Sequence, residues 1–372
     1  MRVVMLNWRY VDHPQAGGAE VITHELLRRL VLAGHEVTCF TGAYDGAAAR
    51  GEIDGVQLVR RGRQWTVHVH AWRWLRTRLH EFDRVIDQVN TIPFLTPLYV
   101  DADKRRLFIH QLAREYWFRE TRGPFRLAAP FGYVAEPQYL KLYRSTEAVV
   151  VSRSTADDLT ALGIRRVTVM PQPVPAEPDA SLAPTASDGW RLIVLGRLTP
   201  AKFVEEAIDV FAYVARAVPG ATLDVVGGGD PGYRAALERR VAEAGLRGVT
   251  FHGRVEEGVK LDLLRRAHVH VFCSHREGWG LTVSEAAAKG TPSAGFDVPG
   301  VRDSIAEPRL LAACGDTAAL AERVIALHRD RDLYEELRRE AWQRTLVQTY
   351  ERALASFADA IGVDAAPAVG TR

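Results

Sequence analysis

Short apolar runs, which predict strands, are followed along the chain by segments whose apolar residues recur at helical spacing, which predict helices. A short apolar run at 3–7 predicts a first strand, and 35–40 predicts a second. Apolar residues recur at helical spacing between them, at Val21, Ile22, Leu26, Leu27, Leu30 and Val31. Helices fall between several of the further predicted strands, which are 56–59, 84–87, 107–109, 148–151 and 167–170. This alternation predicts a parallel sheet that is covered on both faces.

The same alternation begins again after a proline-rich segment. Residues 171–189 carry Pro171, Pro173, Pro175, Pro178 and Pro184, which predicts a linker at 173–189. The strands predicted beyond it are 192–195, 221–226, 249–252 and 269–272, and the helices are 203–217, 233–245, 257–267 and 281–289. The pattern thus predicts an N-terminal domain at 1–172, a C-terminal domain at 190–345 and a last helix at about 346–361. Two doubly wound α/β domains predict a ligand cleft between them.

Composition narrows the class of protein. The 372 residues are 47% hydrophobic and 25% charged, so the chain has enough apolar material for two cores. A formal net charge of +2 gives no reason to expect nucleic acid as a partner. Three distant cysteines, Cys39, Cys273 and Cys314, predict neither a disulfide framework nor a zinc site. The first strand is too short for a signal peptide and no apolar run has membrane-spanning length, so we expect a cytoplasmic protein.

Two carboxylates flank a glycine-rich loop late in the chain. Glu277 follows the predicted strand 269–272, and Glu285 lies eight residues further on, in the predicted helix. The sequence Gly278-Trp279-Gly280-Leu281 lies between them and lets backbone approach a ligand closely. Backbone N–H groups at the helix start suit a phosphate or a hydroxyl-rich ligand. Two acids about two helical turns apart are able to bind different hydroxyl groups of one extended ligand.

Cations and glycines follow the first strand of each predicted domain. Arg197 and Lys202 come after strand 192–195, where two positive charges near a helix start are able to neutralise a diphosphate. Gly17 and Gly18 precede the first helix and allow a tight turn or a close approach to a pyrophosphate. The alternatives are a surface ion pair for the cations and a simple turn for the glycines.

The two-acid segment resembles the Glu-x7-Glu signature of retaining glycosyltransferases of the two-Rossmann-domain GT-B type, family 4. The motif stands here as Glu277-Gly278-Trp279-Gly280-Leu281 and Glu285-Ala286, followed by Gly290-Thr291-Pro292. The family's Gly-Arg-x4-Lys-Gly is present as Gly196, Arg197 and Lys202, but Phe203 stands where the family has its last glycine. The resemblance implies a GT-B fold with two Rossmann-like domains facing a cleft, and a last helix that crosses back to the first domain.

The resemblance also implies roles for particular residues. Arg197 and Lys202 would stabilise the departing diphosphate, Glu285 would hold the ribose, and Glu277 with the backbone of 278–281 would hold the donor sugar. His110, which follows strand 107–109, would face that sugar from the first domain, with a structural histidine as the alternative. Val255, in Gly253-Arg254-Val255, would lie near the nucleobase, and Gly17 and Gly18 would approach the pyrophosphate.

Two literal motifs point elsewhere. Residues 227–232 read Gly-Gly-Gly-Asp-Pro-Gly, which is the dinucleotide pattern Gly-x-Gly-x-x-Gly, but they follow the second strand of their domain and no acid ends the next strand. We interpret them as the turn that the family places there. Asp101-Ala102-Asp103 matches a metal-binding Asp-x-Asp, but the two-domain organisation argues against the fold that uses it. We expect no metal and no cofactor.

Two segments combine arginine with aromatic residues. Residues 60–78 suit either a membrane surface or a solvated helix whose tryptophans reach the core, and the second interpretation is slightly favoured. Residues 114–126 directly follow the His110 region, which favours a loop near the acceptor. Contact with the inner membrane face through 60–78 is therefore retained as a hypothesis.

The resemblance implies a metal-independent, retaining glycosyltransferase. It would move a hexose-type sugar from a UDP- or GDP-sugar to a glycan, lipid-linked or small-molecule acceptor. A nucleotide-sugar epimerase on the same fold is the first alternative, and a non-catalytic sugar- or nucleotide-binding module is the second. A dinucleotide oxidoreductase is the third.

Overall fold

The computed structural model describes residues 1–114, 117–118, 129–182 and 189–365. The chain divides into two compact units. The first unit comprises Met1–Pro173 together with Thr349–Arg372, and the second comprises Val174–Gln348. The proline-rich segment is divided at Pro173: residues 171–173 belong to the first unit and 174–182 to the second, where the Asp179 N–H donates to the Ala288 carbonyl oxygen at 3.0 Å.

The first unit is built on an eight-stranded sheet. Its strands are β1 (Arg2–Leu6), β2 (Glu36–Thr41), β3 (Arg50–Ile53), β4 (Val56–Arg60), β5 (Arg84–Val89), β6 (Arg105–Ile109), β7 (Glu147–Val150) and β8 (Val167–Val169). They are arranged in the order β3-β4-β2-β1-β5-β6-β7-β8. Neighbouring strands pair in parallel except β3, which forms an antiparallel hairpin with β4. The pattern analysis does not predict β3, because its residues Arg-Gly-Glu-Ile carry no apolar alternation and lie mostly exposed.

Helices pack on this sheet through the residues that they bury. They are α1 (Gly18–Leu32), α2 (Val67–Leu75), α3 (Ala129–Leu140), α4 (Arg153–Ala161) and, from the end of the chain, α12 (Tyr350–Ile361). Short 3₁₀ turns span Leu79–Glu81, Thr96–Leu98 and Lys141–Tyr143. In α1, the buried side chains of Ile22, Leu26, Leu27 and Leu30 recur at helical spacing, as the sequence pattern predicts.

The second unit has a six-stranded, entirely parallel sheet. Its strands are β9 (Arg191–Leu195), β10 (Thr222–Val226), β11 (Val249–Gly253), β12 (Val269–Phe272), β13 (Ser293–Phe296) and β14 (Leu311–Ala312). Its helices are α5 (Val204–Ala217), α6 (Pro231–Glu243), α7 (Glu257–Arg266), α8 (Leu281–Ala288), α9 (Val301–Ile305), α10 (Thr317–Arg329) and α11 (Arg331–Thr345). Short 3₁₀ turns span Pro200–Lys202 and Pro308–Leu310. The strand order is β11-β10-β9-β12-β13-β14. Doubly wound sheets of this kind bind ligands where the strand order reverses, which here is between β9 and β12.

Helix α12 completes the core of the first unit. Its Phe357 is fully buried and meets the Phe108 ring edge-on at a centroid distance of 5.3 Å. Arg84 and Arg106 donate to the last carbonyl groups of this helix, to Ile361 at 2.7 Å and to Ala360 at 3.2 Å. Cations at a helix C-terminus also complement the helix dipole. The final helix thus belongs to the first unit although the second unit precedes it in the chain.

We predict that Phe357→Ala lowers the stability of the first unit by about 3–5 kcal/mol, because it removes a fully buried ring and leaves a cavity. Asp359→Ala, on the exposed side of the same helix, is the control and should change stability by less than about 0.5 kcal/mol. Hydrogen exchange in urea, resolved by segment, measures the two units separately. Faster exchange in the second unit, with β6 and β7 unchanged, would contradict this assignment of the helix.

Candidate functional site

The strand order of the second unit brings two loops together. Strands β9 and β12 are parallel neighbours, with Val269 opposite Leu192 and His270 opposite Ile193. The loop that follows β9 carries Arg197 and Lys202, and the loop that follows β12 carries Glu277. Because parallel strands end at the same edge of the sheet, both loops emerge at the reversal of strand order.

The loop after β9 packs against the glycines at 227–229, which follow strand β10. A Cβ atom on Gly227 would lie 1.8 Å from the Gly196 carbonyl oxygen, and one on Gly229 would lie 2.1 Å from that of Leu198. The Leu198 N–H donates to the Gly228 oxygen at 2.9 Å. The glycines at 227 and 229 therefore have a structural reason, the close approach of two backbones, which fixes the loop that carries Arg197 and Lys202.

Lys202 and Glu277 form an ion pair between the two loops. The exposed fractions of their side chains are 27% and 11%, so water screens the pair only in part. The Lys202 ammonium also lies 6.0 Å from the centre of the Phe272 ring. Arg197, on the same loop, is exposed and pairs with no carboxylate among the described residues. The site therefore holds one partly neutralised cation and one accessible cation.

The backbone of Glu277 is fixed from behind by the turn before α9. The Glu277 N–H donates to the Pro299 oxygen at 3.1 Å. At Gly300, which has φ of +79°, a Cβ atom would lie 2.1 Å from the Glu277 carbonyl oxygen. A side chain at this position would push the Glu277 loop away from Lys202.

The second predicted acid has a different cation. Glu285, on α8, is 9% exposed and accepts a bond from the Lys260 ammonium of α7 at 2.8 Å. Burial raises the pKa of the Glu285 carboxyl, and the charge of Lys260 opposes that rise. Burial acts to lower the pKa of Lys260, but Glu285 and Glu257 raise it overall. Lys260 is not predictable from the sequence, because a lone lysine on a polar helix does not indicate a site.

The residues around Glu285 lie in contact with the sheet. Gly278 to Gly280 form the turn before α8, and Leu281 is its first residue. The Trp279 indole N–H donates to the Ser284 hydroxyl oxygen at 2.9 Å, which fixes the ring against the first turn of the helix. Val255 packs on the buried cluster that contains Ile193 and Ala286, the neighbour of Glu285. Val255 therefore lies near the second half of α8, which contains Glu285 and Ala286.

Phe203, which replaces the family's glycine, has a left-handed backbone with φ of +50° and ψ of +44°. Its buried ring stacks on His275 at a centroid distance of 3.5 Å and an interplanar angle of 11°. His275 Nε2 in turn lies 2.9 Å from the Glu206 carboxylate. Left-handed backbone costs a non-glycine residue about 1–2 kcal/mol. The stack holds together the loop of Lys202 and the loop of Glu277. The substitution at 203 is evident in the sequence, whereas the partner ring of Phe203 is not.

The remaining predicted site residues lie in the first unit. Gly17 is extended, with φ of −134°, so a tight turn does not explain the glycine. Its N–H donates to the Glu20 carboxylate at 2.7 Å, and Arg9 also binds Glu20 at 2.7 Å. Gly18 is the first residue of α1. His110 lies at the end of β6, where burial lowers its pKa to about 4 and the charge of Glu20 opposes this shift. Its ring is therefore neutral at neutral pH.

The basic-aromatic segment 60–78 is divided between core and surface. Trp74 is buried and packs on Phe40, and Arg60 is buried and paired with Asp12. Trp65 and Trp72 are 52% and 39% exposed. Of the second segment, 114–126, only residues 114 and 117–118 are described. None of the described helices has the length and apolar character needed to cross a bilayer. The described side chains also contain no group of three His, Cys, Asp or Glu placed to hold a metal ion.

Comparison with known proteins identifies both units. Residues 16–177 match the family model Glycosyltransferase Family 4, and residues 183–344 match Glycosyl transferases group 1. A glycogen synthase of Mycobacterium tuberculosis is 31% identical over 378 residues, which cover 92% of this chain and 90% of that protein. A mannosylfructose-phosphate synthase of Agrobacterium fabrum is 26% identical over 76% of this chain and 72% of its own length.

Solved structures show the same fold. A sucrose-phosphate synthase from Thermosynechococcus elongatus superposes with a TM-score of 0.75 at 18% identity, over 96% of this chain and 97% of the other. WaaG, a glycosyltransferase involved in lipopolysaccharide biosynthesis, gives 0.73 at 18% identity, over 96% and 99%. These likenesses confirm the GT-B fold predicted from the sequence.

The stacked Phe203 gives a prediction in which two effects oppose each other. Phe203→Ala loses the buried ring and keeps the left-handed strain, so it should cost the second unit about 3–5 kcal/mol. Phe203→Gly loses the same ring but relieves the strain, so it should be more stable than the alanine variant by about 1 kcal/mol. Both should be less stable than the unmodified chain, because the ring outweighs the strain. Urea unfolding measures the order, and an alanine variant at least as stable as the glycine variant would contradict a left-handed backbone at 203.

Proposed function

Because the chain belongs to glycosyltransferase family 4, we propose that it transfers a hexose-type sugar from a UDP- or GDP-sugar to an acceptor, with retention of anomeric configuration. The observation that carries the proposal is the contact of Lys202 with Glu277 where the strand order reverses. A diphosphate and a sugar are adjacent parts of one donor. A cation for the first beside a carboxylate for the second fits such a ligand.

Arg197 and Lys202 are proposed to bind the diphosphate, and their charges stabilise it most as negative charge develops on leaving. Lys202 is paired with Glu277, and this contact orients its ammonium group. Arg197, which is exposed, contacts the phosphates from the accessible side. The helix start at Leu281, after the backbone of Gly278, Trp279 and Gly280, adds N–H donors.

Glu277 is proposed to bind hydroxyl groups of the donor sugar, and Glu285 those of the ribose. One Glu285 oxygen, Oε1, accepts from Lys260, which leaves the other for a ligand hydroxyl. Val255 would pack near the nucleobase, since it shares a buried cluster with the neighbour of Glu285. Gly17, Gly18 and His110 would complete the site from the first unit. The φ of Gly17 is one that any residue adopts, so the backbone conformation does not require a glycine here. This supports a ligand-related reason for the glycine.

In the proposed reaction the bond between the anomeric carbon and the diphosphate oxygen breaks. The acceptor oxygen forms its bond to that carbon on the same face, and the acceptor proton moves to the departing diphosphate. No side-chain nucleophile is assigned, because Glu277 is engaged by Lys202. We propose no metal in this chemistry, since the two cations supply the charge.

The acceptor class is proposed from relatives. Their names describe synthases of glycogen and of mannosylfructose phosphate, a poly(glycerol-phosphate) glucosyltransferase and a phosphatidyl-myo-inositol mannosyltransferase. A sugar-containing acceptor is consistent with most of these, and a lipid-linked one with the last. Exposed Trp65 and Trp72 support peripheral contact with a membrane, and vesicle co-sedimentation with and without anionic lipid tests that contact.

The direct test of the function is a thermal-shift screen of UDP, GDP, ADP, TDP and their sugars. A ligand at 100 times its dissociation constant adds about 2.7 kcal/mol of stability. Incubation of the stabilising nucleotide sugar without acceptor then identifies an epimerase, which would change the donor alone. A binding module would be stabilised but would release no nucleoside diphosphate with any acceptor. No stabilisation by any of these compounds would contradict the proposal.

We predict that Lys202→Ala lowers turnover on the order of 100-fold or more while the protein stays folded, because it removes charge stabilisation of the departing diphosphate. Lys141→Ala, which removes an ammonium bound to Gln138 in the first unit, is the control. Initial rates with saturating donor measure the effect, and circular dichroism checks the fold. Near-normal turnover in a folded Lys202→Ala protein would show that the diphosphate binds elsewhere.

We predict that substitutions of Glu277 and Glu285 have different effects on nucleotide binding and on sugar transfer. Glu285→Gln loses charge-assisted bonds to hydroxyl groups and should weaken binding of the free nucleoside diphosphate. Glu277→Gln should leave that binding nearly unchanged but impair transfer from the intact nucleotide sugar. Glu257→Gln is the control for Glu285, because Glu257 binds the same Lys260 but is 66% exposed. Calorimetry together with a transfer assay decides, and equal loss of nucleotide binding in both site variants would contradict the assigned roles.

A further inference from the structure

A chain of buried amide side chains leads to His110 in the first unit. Asn7 follows β1, Gln88 lies in β5, and His110 follows β6. The Asn7 Nδ2 donates to Gln88 Oε1 at 2.8 Å. The Gln88 Nε2 contacts Thr23 Oγ1 at 2.7 Å and His110 Nε2 at 3.0 Å. The side chains of Asn7, Gln88 and Thr23 are at most 1% exposed, so the described contacts are made away from bulk water.

A backbone group sets the direction of this chain. The Arg9 N–H, which is only able to donate, points to Asn7 Oδ1 at 3.5 Å, and Asn90 Nδ2 donates to the same oxygen at 2.8 Å. Asn7 must therefore turn its nitrogen to Gln88. Gln88 then presents its oxygen to Asn7 and its nitrogen to His110. Reversing either amide would place two donors face to face in a buried site, where neither would have an acceptor.

The direction of the chain fixes the proton on His110. Since Gln88 donates to Nε2, that nitrogen must accept, and the single proton of the neutral ring lies on Nδ1. Within the described residues, no protein group accepts a bond from Nδ1. Glu20 is the charged group that acts on the ring, and Arg9 pairs with Glu20 at 2.7 Å. The Phe108 ring covers His110 at 4.6 Å, and Thr155 binds its backbone oxygen rather than the ring.

We infer that Asn7 and Gln88 are positioning residues that hold His110 in the Nδ1–H tautomer, so that it donates to a hydroxyl oxygen of the donor sugar and does not act as a base. The sugar contact rests on the proposed function, whereas the tautomer does not. The site would then select a sugar with an oxygen at the contacted position, because a deoxy sugar leaves the N–H without an acceptor.

The tautomer is measured directly by ¹⁵N NMR of the histidine rings in the full chain, with His110 assigned by the signal that His110→Gln removes. At pH 7 the expected result is an unprotonated Nε2 and a protonated Nδ1. A protonated Nε2, in either the other tautomer or the charged ring, would overturn the inference. This measurement leaves Asn7 and Gln88 unchanged and does not depend on enzymatic activity.

Gln88→Glu reverses the contact at nearly constant shape, because a carboxylate accepts where the amide donated. It should move the proton to Nε2. The His110 ring would then lose its neutral hydrogen bond to the donor sugar, so kcat should fall about tenfold or more while nucleoside diphosphate affinity stays unchanged. Thr155→Val is the matched control, since the Thr155 hydroxyl contacts the His110 backbone oxygen and the Ser152 hydroxyl but not the His110 ring, and it should keep the Nδ1–H tautomer.

An Nδ1–H tautomer that persists in Gln88→Glu would overturn the role of Gln88. The expected tautomers together with normal kcat in Gln88→Glu would overturn the sugar contact. If the unmodified protein and Gln88→Glu both show the expected tautomers but the unmodified protein transfers no sugar, the positioning of His110 would stand and the proposed function would be contradicted.

Discussion

The parallel pairing of β9 with β12 is the constraint on which the candidate site depends. These strands are separated by three helices and two strands in sequence, yet they lie side by side in the sheet. Their register places the ends of both strands at one edge, so Lys202 and Glu277 meet without any local sequence preference for one another. The glycines at 227, 229 and 300 serve the same arrangement, because each allows backbone to approach one of the two loops from outside.

The candidate site keeps its charges in pairs that a ligand is able to replace or share. Glu277 has Lys202 and Glu285 has Lys260, and all four side chains are partly or largely withdrawn from water. An isolated carboxylate in such places would be expensive to ionise. The direction of the Glu285 pKa shift reflects this competition, since burial raises it and Lys260 opposes the rise. Each of the two carboxylates therefore has an ammonium group beside it within the second unit.

The departure from the family pattern at 203 shows how tertiary contacts override a local preference. A left-handed backbone favours glycine, and the family has glycine there. In this chain a phenylalanine adopts the same conformation, because its ring stacks on His275 and is buried. The local cost is smaller than the value of burying an aromatic ring, so the loop geometry is retained with a different side chain.

The sequence by itself determined the class of fold, most elements of both sheets and the residue types of the candidate site. Apolar runs and helical periodicity depend only on the two regular repeats of the backbone, so 192–195, 269–272 and the helix after Gly280 were predictable from the residues alone. The hairpin strand β3 and the short strands β13 and β14 were not, because their residues lack a periodic pattern long enough to detect. Only the tertiary structure decided that Lys260 faces Glu285, that His275 supports Phe203, and that Gln88 directs His110. Each of these contacts joins residues more than twenty positions apart, and contacts of that kind follow from strand order and helix packing rather than from any pattern along the chain.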